Sequence, residues 1–426
     1  MKIYLNTVGC RLNQSEIETF GGQFRLQGHT LVGYPDQADL TVINTCAVTT
    51  EAAADSRKMI RRAAREGAKE VVVTGCWATM NPDGAAALPN VSRVIVNSAK
   101  DRLVPDLLQL PLTEVFDLEP VAREPLPGAR LRTRAFIKVQ DGCDNRCTFC
   151  VTTLVRGKGC SRPLDEILRG VDAAVRGGVQ EVVLTGVHLG SWGHDSDRLG
   201  DLKFLAQTIL RNTDISRLRL SSLEPWDLDE GFFDLWENEP RLCRHLHLPL
   251  QSGCDSTLRR MARKTTQESF RWLVNAARSV CPDIAITTDL IAGFPGETEA
   301  EFAKTLAFVR EMGFAGGHVF TYSARPGTAA ARMAGQVAHP VRKARNARLR
   351  AAIAEGAAAY RTRFLGHTLL VLWESATGLG PDGWQMTGLT DNYLRVHAIA
   401  PRDLWNQITP VRLTGVRHNG ATGVLP

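Results

Sequence analysis

Three cysteines lie within eight residues near the middle of the chain. Cys143, Cys147 and Cys150 have the spacing C-x3-C-x2-C and follow a strand-like run at 135–140. Three thiolates this close together can bind one iron–sulfur cube or one metal ion, and a four-iron cube then keeps one iron without a protein ligand. An open metal position of that kind permits catalysis. The alternative is a zinc ion with a distant fourth ligand such as His188, but zinc motifs usually pair two short cysteine units and no second unit is present.

A second set of cysteines is spread over the first 76 residues. Cys10, Cys46 and Cys76 end the apolar runs NTVGC, VINTC and VVTGC. If these runs are strands of one parallel open sheet, their carboxyl ends line one crevice and the three thiols converge there. The alternative is three buried structural cysteines, which are common singly. We favour a second cluster, again with three protein ligands and one open iron.

Strand-like and helical segments alternate along most of the chain. In the first part, four β-branched runs alternate with helical segments at 14–28 and 49–66, which predicts a parallel α/β sheet. Six further strand-like runs begin at Ala135 and predict a barrel or partial barrel. A basic helix at 340–363 follows, and the remaining runs alternate at period two, as in a five-stranded β-barrel. The expected α/β domain, linker, βα barrel and β-barrel occupy residues 1–120, 121–130, 131–363 and 364–426.

Composition narrows the class of protein. The chain has 426 residues, is 44% hydrophobic and carries a net charge of +6. Such a composition excludes intrinsic disorder, and no apolar run is long enough to span a membrane. The N-terminus has the pattern of a strand and not of a signal peptide, so we expect a cytoplasmic protein. In that compartment the ten cysteines favour metal binding or catalysis over disulfides, and the mild positive charge permits an anionic partner.

The central cysteine motif, with an aromatic residue before its last cysteine, resembles that of the radical S-adenosylmethionine enzymes. The resemblance implies a partial (β/α)6 barrel, in agreement with the strand pattern. It also implies that S-adenosylmethionine binds the open iron and is cleaved to a 5′-deoxyadenosyl radical.

Glycines at two strand ends are candidates for cofactor contacts, because a glycine there lets the backbone approach a ligand closely. By resemblance, Thr185 and Gly186 contact the methionine part of the cofactor, and Gly293, Phe294 and Gly296 its adenine. Ordinary turns between strand and helix are the alternative. His247 and Gln251 are either pocket residues or satisfied polar groups of the core.

Nearly the whole chain resembles the methylthiotransferase family. The matching words are GCRLNQSE, NTCAV and TGC around the first three cysteines, then DGCDNRCTFC, LTGVHLG, HLPLQSGCDSTLRRM and DLIAGFPGET. The family resemblance implies two [4Fe-4S] clusters, an auxiliary one on Cys10, Cys46 and Cys76 that carries the sulfur, and S-adenosylmethionine. It further implies an electron donor such as flavodoxin or ferredoxin, and we expect a monomer. Cys160 stands where the family usually has a basic residue, and we interpret it as a loop thiol.

The C-terminal module resembles a TRAM domain, which binds RNA. Trp373, Trp384 and Tyr393 are candidates for stacking on bases, although at least one of them is expected in the core. The basic helix offers either a phosphate-facing surface or a merely solvated one. The expected partner is therefore the anticodon stem-loop of tRNA, where a single-stranded base is accessible to a radical.

Two segments favour one substrate branch of the family. Residues 219–225 and 388–394 are similar to the enzymes that act on N6-threonylcarbamoyladenosine next to the anticodon. The alternatives are the same chemistry on N6-isopentenyladenosine or on an aspartate of a ribosomal protein. A zinc- or iron-binding RNA-recognition protein without catalysis is an alternative of another class. We expect Cys243, Cys254 and Cys281 to be buried small hydrophobic residues.

Overall fold

The computed structural model describes residues 1–110, 133–196 and 200–426. The chain divides into two compact units. The first comprises Met1–Gly178, Leu184–Gly200 and Arg325–Thr328, and the second the remaining described residues. The expected linker at 121–130 lies outside the described residues.

A five-stranded parallel sheet forms the centre of the first unit, with the order β2-β1-β3-β4-β5. Its four longer strands are the four β-branched runs predicted from the sequence. The fifth, of two residues, is too short to give a pattern. The strands of this unit are β1 (Lys2–Thr7), β2 (Thr30–Leu31), β3 (Leu40–Thr45), β4 (Val71–Gly75), β5 (Val91–Ile95), β6 (Arg134–Lys138), β7 (Gln140–Asp141) and β8 (Cys160–Ser161).

Helices cover the sheet of the first unit and follow its strands. The helices are α1 (Arg11–Leu26), α2 (Thr50–Arg65), α3 (Cys76–Met80), α4 (Pro82–Ala86), α5 (Leu103–Leu108), α6 (Thr152–Arg156) and α7 (Leu164–Arg176). Helix α1 places Ile17, Phe20 and Phe24 on one face, where they pack with Ile3 and Val42 of the sheet. This spacing of apolar residues is that of an amphipathic helix, and it fixes the helix that begins beside Cys10.

Parallel strands also form the first half of the second unit. Strand β10 lies beside β9, and β11, β12 and β13 form a parallel sheet. The last two residues of β9 belong to the first unit. Helix α12 begins with a reciprocal capping box between Thr298 and Glu301, as its T-x-x-E sequence predicts. The elements are β9 (Glu181–Thr185), α8 (Leu202–Asn212), β10 (Arg217–Leu220), α9 (Asp234–Asn238), β11 (His245–His247), α10 (Asp255–Arg260), α11 (Gln267–Val280), β12 (Ala285–Ala292), α12 (Glu299–Met312), β13 (Gly316–Thr321) and α13 (His339–Thr362).

A closed five-stranded barrel ends the chain, with the order β14-β15-β16-β18-β17. The sequence pattern identified four of its strands, while the glycine-rich GATGV segment has no alternation of polar and apolar residues to identify the fifth. Trp373 is fully buried in the barrel core and donates its indole N–H to the Thr409 hydroxyl at 2.8 Å. The strands are β14 (Thr368–Gly380), β15 (Gly383–Thr390), β16 (Arg395–Ala400), β17 (Ile408–Arg417) and β18 (Gly420–Val424).

Arginines of β10 fasten this barrel to the parallel strands of the second unit. Arg219 is fully buried, forms a two-pronged ion pair with Glu181 at 2.7 and 3.0 Å, and donates to the backbone carbonyls of Thr390 and Asp391. Arg217 donates to two further barrel carbonyls, those of Leu370 and Leu389. A planar guanidinium suits such a site because its five donors form a fixed fork.

A second contact of the same interface uses strand β11. Arg244 binds both carboxylate oxygens of Asp391 at 2.6 and 3.1 Å. The ring of His245 stacks on Tyr393 with 4.0 Å between centroids. The segments 219–225 and 388–394, which favoured one substrate branch, therefore contact each other.

Among the described residues, no helix combines the length and the apolar character needed to cross a membrane.

We predict that Arg219→Met destabilises the protein strongly, because the buried Glu181 carboxylate would lose its partner. Loss of one member of a buried ion pair costs about 3–5 kcal/mol. Chemical denaturation checks this, with Arg402→Met, an exposed arginine, as the control. The prediction is contradicted if Arg219→Met lowers the free energy of unfolding by no more than Arg402→Met does.

Candidate functional site

Cys10, Cys46 and Cys76 lie at the carboxyl ends of three neighbouring strands. Cys46 directly follows β3, Cys76 directly follows β4, and Cys10 is the residue before α1, just after β1. The strands are in register at these ends, since Thr7 pairs with Asn44 and the last residues of β3 and β4 pair with each other. The sheet thus brings together the three thiols that the sequence separates by 66 positions.

Two glycines make this approach possible. Gly9 has φ +112°, and a Cβ there would lie 2.6 Å from the Cβ and 2.8 Å from the Sγ of Cys46. Gly75 has φ +98°, and a Cβ there would lie 2.3 Å from the carbonyl oxygen of Thr45. Only glycine tolerates both this backbone conformation and this spacing. The residues before Cys10 and Cys76 therefore have to be glycine for the crevice to close.

Polar neighbours contact the sulfurs of this trio. Asn97 Nδ2 lies 3.6 Å from Cys76 Sγ, and Asn13 Oδ1 lies 3.8 Å from Cys10 Sγ. Burial raises the pKa of the Cys46 thiol to about 11 and also raises that of Cys10. A thiol binds metal as the thiolate, so metal binding here releases protons. Hydrogen bonds to sulfur, such as that from Asn97, are a means of tuning an iron–sulfur cluster.

Cys143, Cys147 and Cys150 lie on the loop between β7 and α6, and all three are half-buried. The Sγ of Cys143 accepts the backbone N–H of Asn145 at 3.4 Å, and that of Cys150 accepts the N–H of Thr152 at the same distance. None of the three is in a disulfide. Reduced thiols on one loop, with N–H groups directed at the sulfur, fit the ligand set of an iron–sulfur cube.

In the described ranges, no three Cys, His, Asp or Glu side chains are close enough to bind a single metal ion. A cube takes one cysteine on each of three irons, so its ligands are spread further apart.

The loop is braced by residues that follow β9. The ring Nδ1 of His188, the residue considered as a zinc ligand, lies 3.3 Å from Asn145 Nδ2. The backbone N–H of His188 donates to Gln140 Oε1 at 2.8 Å, and Gln140 Nε2 donates to the carbonyl of Gly142. His188 thus positions the cysteine loop at two points.

Arg156 connects the two cysteine sets within the first unit. It ends α6, six residues after Cys150, and donates to Asn13 Oδ1, Glu16 Oε1 and Asp141 Oδ1, each at 2.9 Å. The side-chain amide of Asn13 in turn donates to two backbone carbonyls, that of Val8, shortly before Cys10, at 2.8 Å, and that of Thr45, directly before Cys46, at 3.0 Å. One guanidinium therefore ties the helix that begins after Cys10 to the loop of the central motif.

Glu16 is the buried anion at the centre of this arrangement. Its carboxylate contacts Lys100 at 2.6 Å, Asn44 Nδ2 at 3.0 Å and Lys138 at 3.6 Å, besides Arg156. Burial by itself raises the pKa of Glu16, but the charges of Lys100, Arg156 and Lys138 outweigh burial and hold this pKa well below its usual range. Glu16, Asn13 and Arg156 are functional residues that the sequence patterns did not predict. The available signal was a carboxylate and an amide on the inner face of an amphipathic helix.

The expected cofactor contacts fall in both units. Thr185 and Gly186 lie in the first, where a Cβ on Gly186 would be 3.0 Å from Gln140 Oε1. Gly293, Phe294 and Gly296 lie in the second unit. There the Gly293 N–H donates to Glu297 at 2.9 Å, Phe294 packs edge-on against Tyr322, and Gly296 has φ +75°.

Several expected surface residues have partners within the chain. Trp373 is core, as expected for at least one of the aromatics, Tyr393 stacks on His245, and Trp384 stays partly exposed. Arg345 of the basic helix pairs with Glu297 at 2.8 Å. Arg348 of that helix pairs with Glu299, and Arg363, the residue that follows the helix, pairs with Asp283.

The remaining candidates are placed as follows. His247 Nδ1 lies 2.9 Å from the Thr287 hydroxyl and its Nε2 lies 3.3 Å from Asp289. Gln251 is a half-buried residue with φ +68°. Cys160 is exposed, and the three cysteines expected in the core are buried, namely Cys243, Cys254 and Cys281.

Comparison with known proteins gives two family matches and several relatives. Residues 137–309 match the radical SAM superfamily, and residues 2–97 match the uncharacterized protein family UPF0004. The threonylcarbamoyladenosine tRNA methylthiotransferase MtaB of Bacillus subtilis is 34% identical over 96% of this chain and 93% of its own. Its Thermotoga maritima counterpart is 37% identical over 87% and 86%. A tRNA-2-methylthio-N(6)-dimethylallyladenosine synthase of Geobacillus thermodenitrificans is 32% identical over 100% and 83%.

A solved structure with the same fold is the radical S-adenosylmethionine methyltransferase TsrM of Kitasatospora setae. It is 14% identical, with a TM-score of 0.57 over 78% of this chain and 77% of its own. This similarity confirms the expected radical SAM fold, and the C-terminal strands confirm the expected small β-barrel.

We predict that Glu16→Gln costs about 3 kcal/mol or more of stability at pH 7, because Lys100 and Arg156 would remain buried beside a neutral amide. The pKa of Glu16 is depressed in the folded protein. The ionised Glu16 therefore contributes fully to the free energy of unfolding above the ordinary carboxyl pKa of about 4.3. This contribution is lost as the pH falls through the lower pKa that Glu16 has in the folded protein.

Urea unfolding of the wild-type protein and of Glu16→Gln, at pH 7 and in strong acid, tests this prediction. The difference between their free energies of unfolding should be smaller in acid than at pH 7. The control is Glu66→Gln, which breaks an exposed pair with Arg62 and should cost at most about 1 kcal/mol. Equal effects of the two substitutions at pH 7 contradict the prediction.

The similarity to these relatives spans nearly the full length of the chain, and the two family matches, over residues 2–97 and 137–309, include both cysteine sets. The fold agrees with that of a radical SAM enzyme of known structure. The chain therefore belongs to the radical SAM tRNA methylthiotransferase family.

Proposed function

We propose that this protein methylthiolates C2 of N6-threonylcarbamoyladenosine next to the anticodon of tRNA. The observation that carries the proposal is the 34% and 37% identity, over most of both chains, to two enzymes named for that substrate. The segments 219–225 and 388–394 favour the same branch. The same chemistry on N6-isopentenyladenosine is the second candidate, because dimethylallyladenosine synthases are 31–33% identical over nearly the whole chain.

Two cofactors follow from this assignment. Cys143, Cys147 and Cys150 would hold the [4Fe-4S] cluster that, with S-adenosylmethionine, supplies radical chemistry. Thr185, Gly186, Gly293, Phe294 and Gly296 would contact S-adenosylmethionine.

An auxiliary [4Fe-4S] cluster on Cys10, Cys46 and Cys76 would supply the sulfur. The support is geometric, since three strand ends bring these thiols together and Gly9 and Gly75 permit the close approach of the backbone beside them.

The protein's own residues orient these groups. Arg156 and Asn13 hold the helix that begins after Cys10 against the loop that carries Cys143, Cys147 and Cys150. Asn97 donates a hydrogen bond to the Cys76 sulfur. Fixed relative positions matter because productive alignment of reacting groups supplies a large part of the rate of such reactions.

The partners complete the proposal. The C-terminal barrel would bind the anticodon stem-loop, with Trp384 as the stacking residue that stays partly exposed. A flavodoxin or ferredoxin would supply electrons, and the protein would act as a cytoplasmic monomer with residues 1–120, 131–363 and 364–426 as its domains.

Nucleoside mass spectrometry tests the substrate. A strain without this protein should lose the 2-methylthio derivative of N6-threonylcarbamoyladenosine and accumulate the unmethylthiolated nucleoside. The methylthiolated isopentenyladenosine in the same digest is the internal control. Loss of the isopentenyl derivative alone would transfer the assignment to the second candidate.

Replacing each cysteine trio by alanine separates the two cofactors. Cys143→Ala, Cys147→Ala and Cys150→Ala together should abolish formation of 5′-deoxyadenosine. The matched triple replacement of Cys10, Cys46 and Cys76 should retain that cleavage and stop methylthio transfer. Cys160→Ala is the control and should leave both reactions intact. Methylthiolated product from the second triple variant would refute the auxiliary cluster.

Metal analysis distinguishes the non-catalytic alternative. Two cubes require about eight irons per chain. One zinc and no iron in anaerobically purified protein would favour an RNA-recognition protein over an enzyme.

A further inference from the structure

One buried arginine differs from the others in its partners. Within the described part of the chain, Arg219 pairs with Glu181, Arg263 with Glu224 and Arg345 with Glu297. Arg217 donates to two backbone carbonyls. Arg325 is 7% exposed, and among the residues that the structure describes it donates only to the Thr50 hydroxyl, at 3.3 Å, and pairs with no carboxylate.

The backbone holds Arg325 in a fixed place. The carbonyl of Arg325 accepts the N–H of Thr328 at 3.2 Å, and the Thr328 hydroxyl donates to the same carbonyl at 2.8 Å. Pro326 and Gly327, with φ +84° at the glycine, occupy the central positions, as in a type II turn. The side chain thus leaves a tight turn and is not the end of a mobile loop.

Arg325 contacts the start of the helix that follows Cys46. Thr50, its partner, opens α2 only four residues after Cys46, and Ser56 of that helix bonds to both the N–H and the carbonyl of Cys46. Burial lowers the pKa of Arg325, and the ionisable groups near enough to influence it are Cys46, Glu51 and Arg57. Glu51 is exposed, so the group on the buried side that can become anionic, by losing its proton when it binds a metal, is the thiol of Cys46.

A buried guanidinium without an anion is costly, and proteins normally pair such a charge. Arg156, the other arginine near these cysteines, is already neutralised by Glu16 and Asp141. Three cysteine thiolates with a cluster and its extra sulfur carry a net negative charge. We propose that Arg325 is the counter-cation of this site and donates hydrogen bonds to the anionic sulfur held at Cys10, Cys46 and Cys76. The inference rests on the auxiliary cluster of the proposed function.

The test uses the full chain with Cys143, Cys147 and Cys150 replaced by alanine, so that only the auxiliary cluster remains. Into this parent protein Arg325→Met, Arg325→Lys or the control Arg61→Met is introduced. Arg61 is exposed on the same helix as Thr50. Iron content, the midpoint potential of the cluster and the affinity for inorganic sulfide are measured for each protein.

We expect Arg325→Met to shift the midpoint potential to a more negative value, because a nearby positive charge favours the reduced cluster. Sulfide binding should weaken about tenfold or more, the loss of one charge-assisted hydrogen bond. Arg325→Lys should recover much of both properties, and Arg61→Met should match the parent.

A structural role would give another pattern. The cluster-free chain with Arg325→Met should be at least as stable as the cluster-free parent, because an unpaired buried charge has been removed. A loss of stability in the cluster-free chain would overturn the proposal, as would an unchanged potential and sulfide affinity in the loaded protein. Absence of any cluster from the parent itself would instead refute the auxiliary cluster, and with it this inference.

Discussion

A single buried carboxylate on the first long helix organises the part of the molecule that carries the chemistry. Glu16 meets Lys100, Lys138 and Arg156 away from water, and each of these cations comes from a different segment of the first unit. Burying one charge alone would be prohibitive, but the opposite charges and the amide of Asn44 compensate for lost hydration. Because the geometry of such a cluster is demanding, the helix beside Cys10 and the end of the central cysteine loop are held in one arrangement. Two sets of cysteines far apart in sequence depend on this arrangement.

The positions of the cysteines of the first set were predictable because they follow a simple rule. Parallel strands place their carboxyl ends on one edge, so apolar runs that end in Cys10, Cys46 and Cys76 were sufficient to predict their convergence. The surroundings of these cysteines were not predictable in the same way. Charged residue types are normally assigned to solvent, and that assignment is wrong for Glu16 and Arg219 because each is buried against partners from other segments of the chain. Strand β18 was missed because GATGV lacks alternation.

The two segments that favoured one substrate branch have a structural meaning that sequence could not supply. Arg219 from the first segment donates to carbonyls of the second, and Tyr393 of the second stacks on His245. These residues are engaged with each other inside the second unit. The similarity of these segments to one branch therefore involves residues that attach the C-terminal barrel to the parallel strands.

The glycines beside the ligands have a practical consequence for protein engineering. At Gly75 an added methyl group would strike the backbone carbonyl of Thr45, which cannot yield without displacing the neighbouring cysteine. At Gly9 it would strike a ligand side chain. A mutant library intended to retarget this enzyme should keep both codons constant and direct its diversity elsewhere, since even alanine, the smallest chiral residue, is too large at either position.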